Sequence, residues 1–98
     1  MKLGILLTSG MESEDARTVR QLSEAALRLG HEVSIFLMDD GVFQLPALKG
    51  LVESGAGITV CAHNALERGV PKVEKVLFGG QNDCAEIVHD VDRVVVFG

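Results

Sequence analysis

The sequence predicts an α/β protein: a parallel sheet with helices packed on both faces. Three observations carry that expectation. Apolar runs alternate with helix-periodic, amphipathic segments along the whole chain. The run Leu3–Leu7 is apolar throughout, as in a strand covered on both sides. Consecutive runs are separated by enough chain for a crossover, which parallel neighbours require.

Taken in order, Leu3–Leu7 is the first strand and closes at Thr8-Ser9-Gly10. From Asp15 to Leu29, the residues Ala16, Val19, Leu22, Ala26 and Leu29 recur three and four apart. That spacing gives a helix one apolar face, with Arg17, Arg20, Gln21, Glu24 and Arg28 largely elsewhere. Gly30 follows as its C-cap. Val33–Met38 is the second strand, ending abruptly in Asp39-Asp40-Gly41. Residues 42–54 mix Leu45, Leu48, Leu51 and Val52 with Pro46 and Gly50, so a short or broken helix is expected. Gly57–Val60 is the third strand, and Ala62–Arg68 a short helix stopped by Gly69 and Pro71. Val73–Phe78 is the expected fourth strand. Gly79-Gly80 leads into a helix over 82–89, and Arg93–Phe97 is the last strand.

Composition narrows the function. The 98 residues are 47% apolar and 23% charged, globular proportions that argue against disorder and suit one domain over 1–98. Four Phe, with no Trp or Tyr, leave little for stacking on bases. A net charge of −5 repels a phosphate backbone, so nucleic acid is an unfavourable partner. No run approaches the ~20 apolar residues that cross a bilayer, and the N-terminus lacks a leader pattern. Two cysteines without a CxxC make neither a disulfide scaffold nor a zinc site. The expectation is a soluble, cytoplasmic protein with free thiols, no metal and no cofactor.

In parallel sheets, ligands bind beyond the carboxyl ends of the strands. Three segments fall there: Thr8-Ser9-Gly10, Asp39-Asp40-Gly41 and Cys61-Ala62-His63-Asn64. Cys61 is the sharpest candidate. It stands where a strand gives way to a short helix, so unpaired backbone N–H groups favour its thiolate, the nucleophilic form. The competing reading is a small buried hydrophobe. Cys84 lies in a helical stripe with Ile87 and Val88 and reads as core-facing. His63 is near enough in sequence to take the Cys61 proton, and also reads as a solvent-facing histidine. Asp39-Asp40 suggests a magnesium site, but the first strand ends in Thr8-Ser9 without a carboxylate, which favours a turn and cap. Thr8-Ser9-Gly10-Met11-Glu12 matches no phosphate-loop motif, and Ser9 with Glu12 has the spacing of a capping box.

The ordered set of these pieces resembles the DsrE/DsrF/TusD family of small sulfur-relay proteins. The resemblance rests on the opening strand with Thr8-Ser9-Gly10, on Ser34–Met38 running into Asp39-Asp40-Gly41-Val42, and on Gly79-Gly80 before Asp92–Phe97. It is strongest in Gly57-Ile58-Thr59-Val60-Cys61, followed after six residues by Arg68-Gly69-Val70. The resemblance implies a three-layer α/β/α sandwich around a mostly parallel five-stranded sheet, assembled as a trimer or hexamer. It also implies a sulfur carrier or sulfurtransferase in which Cys61 holds a persulfide, received from a donor protein and passed to an acceptor. His63, Asn64, Thr8, Ser9 and Asp39 are the supporting candidates, around a shallow pocket at the sheet edge. Two alternatives stand beside it: a non-catalytic oligomeric subunit, and a flavodoxin-like module binding a small ligand at the Thr8-Ser9 and Asp39-Asp40 loops.

Overall fold

The structure, a computed structural model, describes residues 1–98. Five strands make one sheet: β1 (Lys2–Leu7), β2 (Glu32–Leu37), β3 (Gly57–Cys61), β4 (Leu77–Gly79) and β5 (Arg93–Phe97). All neighbours are parallel, in the order β4-β3-β2-β1-β5. The helices are α1 (Asp15–Arg28), α2 (Leu45–Leu48), α3 (Ala62–Glu67) and α4 (Gln81–Asp90). This order dictates the layers. From β1 to β4 the chain steps one way across the sheet, then returns over it to reach the far side of β1. Right-handed crossovers therefore place α1, α2 and α3 on one face and α4 on the other. The three-layer sandwich is the architecture the sequence predicts.

The core lies on the face of α1–α3. Leu3, Ile5 and Leu7, then Val33, Ile35 and Leu37, then Ile58 and Val60, alternate onto that face. They form one cluster with Ala16, Val19 and Ala26 of α1, Leu45 and Leu48 of α2, and Ala65 of α3. The intervening residues face α4. A Cβ at Gly4 would lie 3.0 Å from Val91 Cγ2 and 3.4 Å from Ile87 Cγ2, so a glycine lets α4 settle onto β1. Phe36 and Cys61 are buried yet stand outside the main cluster, as their alternate positions require. This second face is thinly covered: α4 has no fully buried residue, and Val94 and Val96 of β5 are 40% and 62% exposed.

Two segments differ from expectation. The broken helix begins earlier, as a 3₁₀ turn over Asp39–Gln44, continues as α2, and ends in a second 3₁₀ turn over Lys49–Val52. Pro46 falls in the first turn of α2, where its missing N–H costs nothing. The fourth strand is Leu77–Gly79, not Val73–Phe78. Lys75 has φ +67, a left-handed conformation that no extended strand passes through. Val73 and Val76 instead pack partly against the core from a loop. No helix is long and apolar enough to cross a membrane.

Candidate functional site

Cys61 is the last residue of β3 and immediately precedes α3, with extended backbone angles (φ −64°, ψ 111°). Its register partner is Gly79, the last residue of β4. Beyond this pair the two chains part, β3 leading to α3 on the core face and β4 to α4 on the opposite face. In open α/β sheets such a divergence is where ligand crevices form. Cys61 thus stands at the carboxyl end of β3, where the paths to α3 and α4 part. Its thiol is free and only 5% of the residue is exposed. Neither Cys61 nor Thr8, Ser9, Asp39 or Asp40 lines any of the four surface clefts. The shallow pocket expected at this edge is not formed by the chain alone.

Helix α3 has six residues, too few to persist without tertiary support, and buries only Ala65. Its end is fixed by a Schellman motif: Val70 N–H donates to Ala65 O at 2.9 Å and Gly69 N–H to Leu66 O at 3.3 Å. Gly69 takes φ +68, which a side chain would resist. Asn64 of α3 and Arg68, which caps its C-terminus, then grip the turn after β2. The Asp39 N–H donates to Asn64 Oδ1 at 2.8 Å, and Arg68 Nε donates to Asp40 Oδ1 at 2.9 Å. Arg68 Nη1 also donates to Asn64 O at 3.4 Å. The hydrogen bond to Asp40 is the main reason the guanidinium is held above its ordinary pKa, with partial desolvation opposing. Asp39 has φ +51, a left-handed conformation that aspartate tolerates better than most residues.

The structure gathers some of the candidates and separates others. Asp39 and Asn64 meet beside the end of β3. His63 does not join them: its side chain is 76% exposed, with Nε2 3.4 Å from Glu67 Oε2. Thr8 and Ser9 follow β1, two strands from β3, a lateral separation of ~10 Å. Thr8 Oγ1 donates to Phe97 O at 3.3 Å. Ser9 makes no capping box with Glu12; its Oγ donates to Asp15 Oδ2 at 2.5 Å, and α1 starts without a side-chain cap. Asp39 and Asp40 begin the 3₁₀ turn, and no three potential metal ligands converge anywhere. Cys84 is half-buried on α4, which covers the sheet loosely, and burial pushes its thiol pKa up. Ile87 and Val91 lie against Gly4 of β1, while Val88 is 45% exposed. Two contributors escaped the sequence reading. Arg68 is visible there as a helix end, but its partner Asp40 is 28 residues away. Gln44 sits among apolar residues with no local sign that it holds a loop.

Comparisons with known proteins agree with the fold. A protein of Pseudomonas aeruginosa named "Sulfurtransferase TusD homolog" is 40% identical over 91 residues, covering 76% of this chain and 70% of its own. An uncharacterized protein of Methanopyrus kandleri is 30% identical over 100 residues, covering 86% of this chain and 83% of its own. Among solved structures, the ychN protein from E. coli superposes with a TM-score of 0.86 at 20% identity, covering 99% of both chains. A conserved protein of unknown function from Bacteroides thetaiotaomicron gives 0.77 at 16% identity, covering 98% of this chain and 94% of its own. The two structures share the fold. Residues 1–97 match the DsrE/DsrF-like family, and with nearly the whole chain accounted for, the protein belongs to that family.

Proposed function

We propose that the protein is an intracellular sulfur carrier in which Cys61 accepts sulfane sulfur from a donor protein and passes it to an acceptor. The observation that carries this reading is the position of Cys61 at the carboxyl end of β3, in a chain of the DsrE/DsrF-like family. The likeness to a protein named as a sulfurtransferase homolog supports it. The Cys61 thiolate attacks the outer sulfur of a donor persulfide, a new S–S bond forms, and the donor thiolate leaves. The proton of the donor persulfide stays with the transferred sulfur or is lost to solvent. Transfer to the acceptor is the same exchange with the acceptor thiolate as nucleophile. Neither step needs a metal, a cofactor or a net oxidant. Donor and acceptor proteins are the implied partners, and a reducing compartment such as the cytoplasm suits the free thiols.

Self-association as a trimer or hexamer is part of the proposal. The exposed Val94 and Val96 lie on one face of an edge strand, and copies of the chain would cover them. The burial of Cys61 favours a second reading, a subunit without sulfur chemistry in which the thiol only packs. Intact-mass spectrometry after incubation with a persulfide donor separates the two. Wild type and Cys84→Ser should each gain one sulfur on Cys61, and Cys61→Ser should gain none. No gain on wild type, or loss only in Cys84→Ser, rejects the carrier assignment.

A further inference from the structure

The sheet face opposite the core is only partly roofed. Helix α4 packs on β1, with Ile87 and Val91 against Gly4, and leaves β2, β3 and β4 open beside it. Between α4 and those strands lies a cleft of about 300 Å³. Ser34 of β2, Thr59 of β3 and Leu77 of β4 form its floor, and Leu77 is 55% exposed. Asp83, Glu86 and Asp90 line its wall at spacings of three and four, so they share one side of α4. Glu32 and its register partner Lys2 close the end nearest Asp90. The lining therefore holds four carboxylates and one ammonium, and none of the five is ion-paired within the chain. Carboxylates gathered along a concave wall reinforce one another's field, so the cleft attracts cations. Their spread decides which kind. No three potential metal ligands converge, and Asp83 to Asp90 spans seven residues of helix, ~10 Å. Three residues of extended chain cover the same distance. The floor, open sheet with two hydroxyls and a leucine, suits an extended backbone better than a compact ion.

We propose that this cleft is a docking site for an extended, basic segment of a partner protein, in which two lysine or arginine side chains about three residues apart meet the wall of α4. Thr59 and Cys61 are two residues apart on one strand and so share this face, with Cys61 ~7 Å further along β3. Gly79, the register partner of Cys61, has the Asp83 carboxylate where its own side chain would stand. The cleft thus points along β3 toward its carboxyl end. That the docked segment belongs to a sulfur donor or acceptor rests on the carrier reading above. The docking itself does not, because it follows from the shape and charge of the cleft.

The test is titration of the full chain with a capped hexapeptide carrying lysine at its second and fifth positions, at about 20 mM salt, followed by backbone amide NMR. Wild type should bind with a Kd below about 1 mM, and the shifts should centre on Ser34, Thr59 and Leu77. Glu86→Gln with Asp90→Asn should weaken binding at least about five-fold, as should raising salt to about 200 mM. Asp83 is kept because its carboxylate accepts the Gly80 N–H at the start of α4. Glu12→Gln with Glu14→Gln removes the same charge before α1 and should leave the affinity within about two-fold. The peptide with glutamate in place of lysine should not bind. No binding by wild type, shifts confined to another surface, or undiminished affinity in Glu86→Gln with Asp90→Asn overturns the proposal. Equal affinity for 1,7-diaminoheptane, which has a similar charge separation and no backbone, overturns the assignment to a peptide. Sulfur uptake from a small persulfide, measured separately on wild type, judges the carrier reading. Peptide binding without uptake rejects the carrier and keeps the docking site, and uptake without peptide binding does the reverse.

Discussion

Gln44 Nε2 donates to the carbonyl of Gly10 at 2.5 Å, and this buried amide ties the loop after β1 to the turn after β2. Gln44 is one of two buried polar residues in the chain. The Gly10 carbonyl also accepts from the Ser13 N–H and Oγ, so a single oxygen organises the whole 10–13 turn.

Gln44→Ala removes that donor and leaves a cavity where a buried side chain stood. The expected loss is about 2–3 kcal/mol, the sum of an unmade buried hydrogen bond and missing packing. It should appear as a lower urea midpoint with an unchanged slope, and as faster amide exchange at Ser13. A loss below about 0.5 kcal/mol would mean that water replaces the amide.

How much of this was legible in the sequence depends on the range of the forces involved. The strands β1, β2, β3 and β5 were visible as apolar runs because both faces of a parallel sheet are covered, and the helix α1 because burial of one face imposes a period of 3.6. Gly30 and Gly69 marked helix ends because left-handed caps need glycine. The fourth strand was misplaced because its boundary depends on Lys75 turning left-handed, a conformation lysine does not announce. Cys61 stood out by its position at a strand end. The Asp40–Arg68 and Gln44–Gly10 pairs did not, because they join residues 28 and 34 apart through the folded sheet. The loose cover over Cys84 was hidden too, since a helical stripe does not reveal how closely its helix sits.

The pH response of Cys84 follows from that cover. Desolvation raises its folded-state pKa, so the native protein favours the neutral thiol more than the unfolded chain does. The resulting stability is fully present below the unfolded thiol pKa, ~8.5, and is lost as pH rises through the higher folded value. In the native protein, the midpoint for Cys84 alkylation should therefore lie above that of the same thiol in urea. Cys84→Ser should flatten the alkaline fall in stability above about pH 8.5. Identical midpoints in native and urea-unfolded protein would refute this.

Ser23 presents the opposite case, a polar group whose removal should help. It lies on α1 facing the sheet, fully buried, and its Oγ has no hydrogen-bond partner. A hydroxyl buried without a partner costs about 1–3 kcal/mol, and alanine is also the better helix former. Ser23→Ala should stabilise the chain by about 1 kcal/mol after allowing for the small void it leaves. At this size that is a rise in Tm of roughly 4–8 °C. A fall in Tm would show that the hydroxyl is paired in solution.

The exposed face of β5 supplies the last prediction. Val95 and Phe97 turn toward the core while Val94 and Val96 turn away from it, next to a helix too loosely seated to cover them. Solvating two adjacent valines on an open strand edge is a condition that association relieves. If copies of the chain bury that pair, each valine contributes about 1.5–2 kcal/mol to an interface. Replacing both by lysine, Val94→Lys with Val96→Lys, should then weaken association by at least 100-fold, about 3 kcal/mol. The core residues lie on the other face, so the fold should survive. Sedimentation velocity at micromolar concentration should show a trimer or hexamer for wild type and a folded monomer for the double variant. A wild type that sediments as a monomer rejects self-association. A double variant that remains fully assembled places the interface elsewhere on the chain, with the exposed Leu77 edge of β4 the next surface to alter.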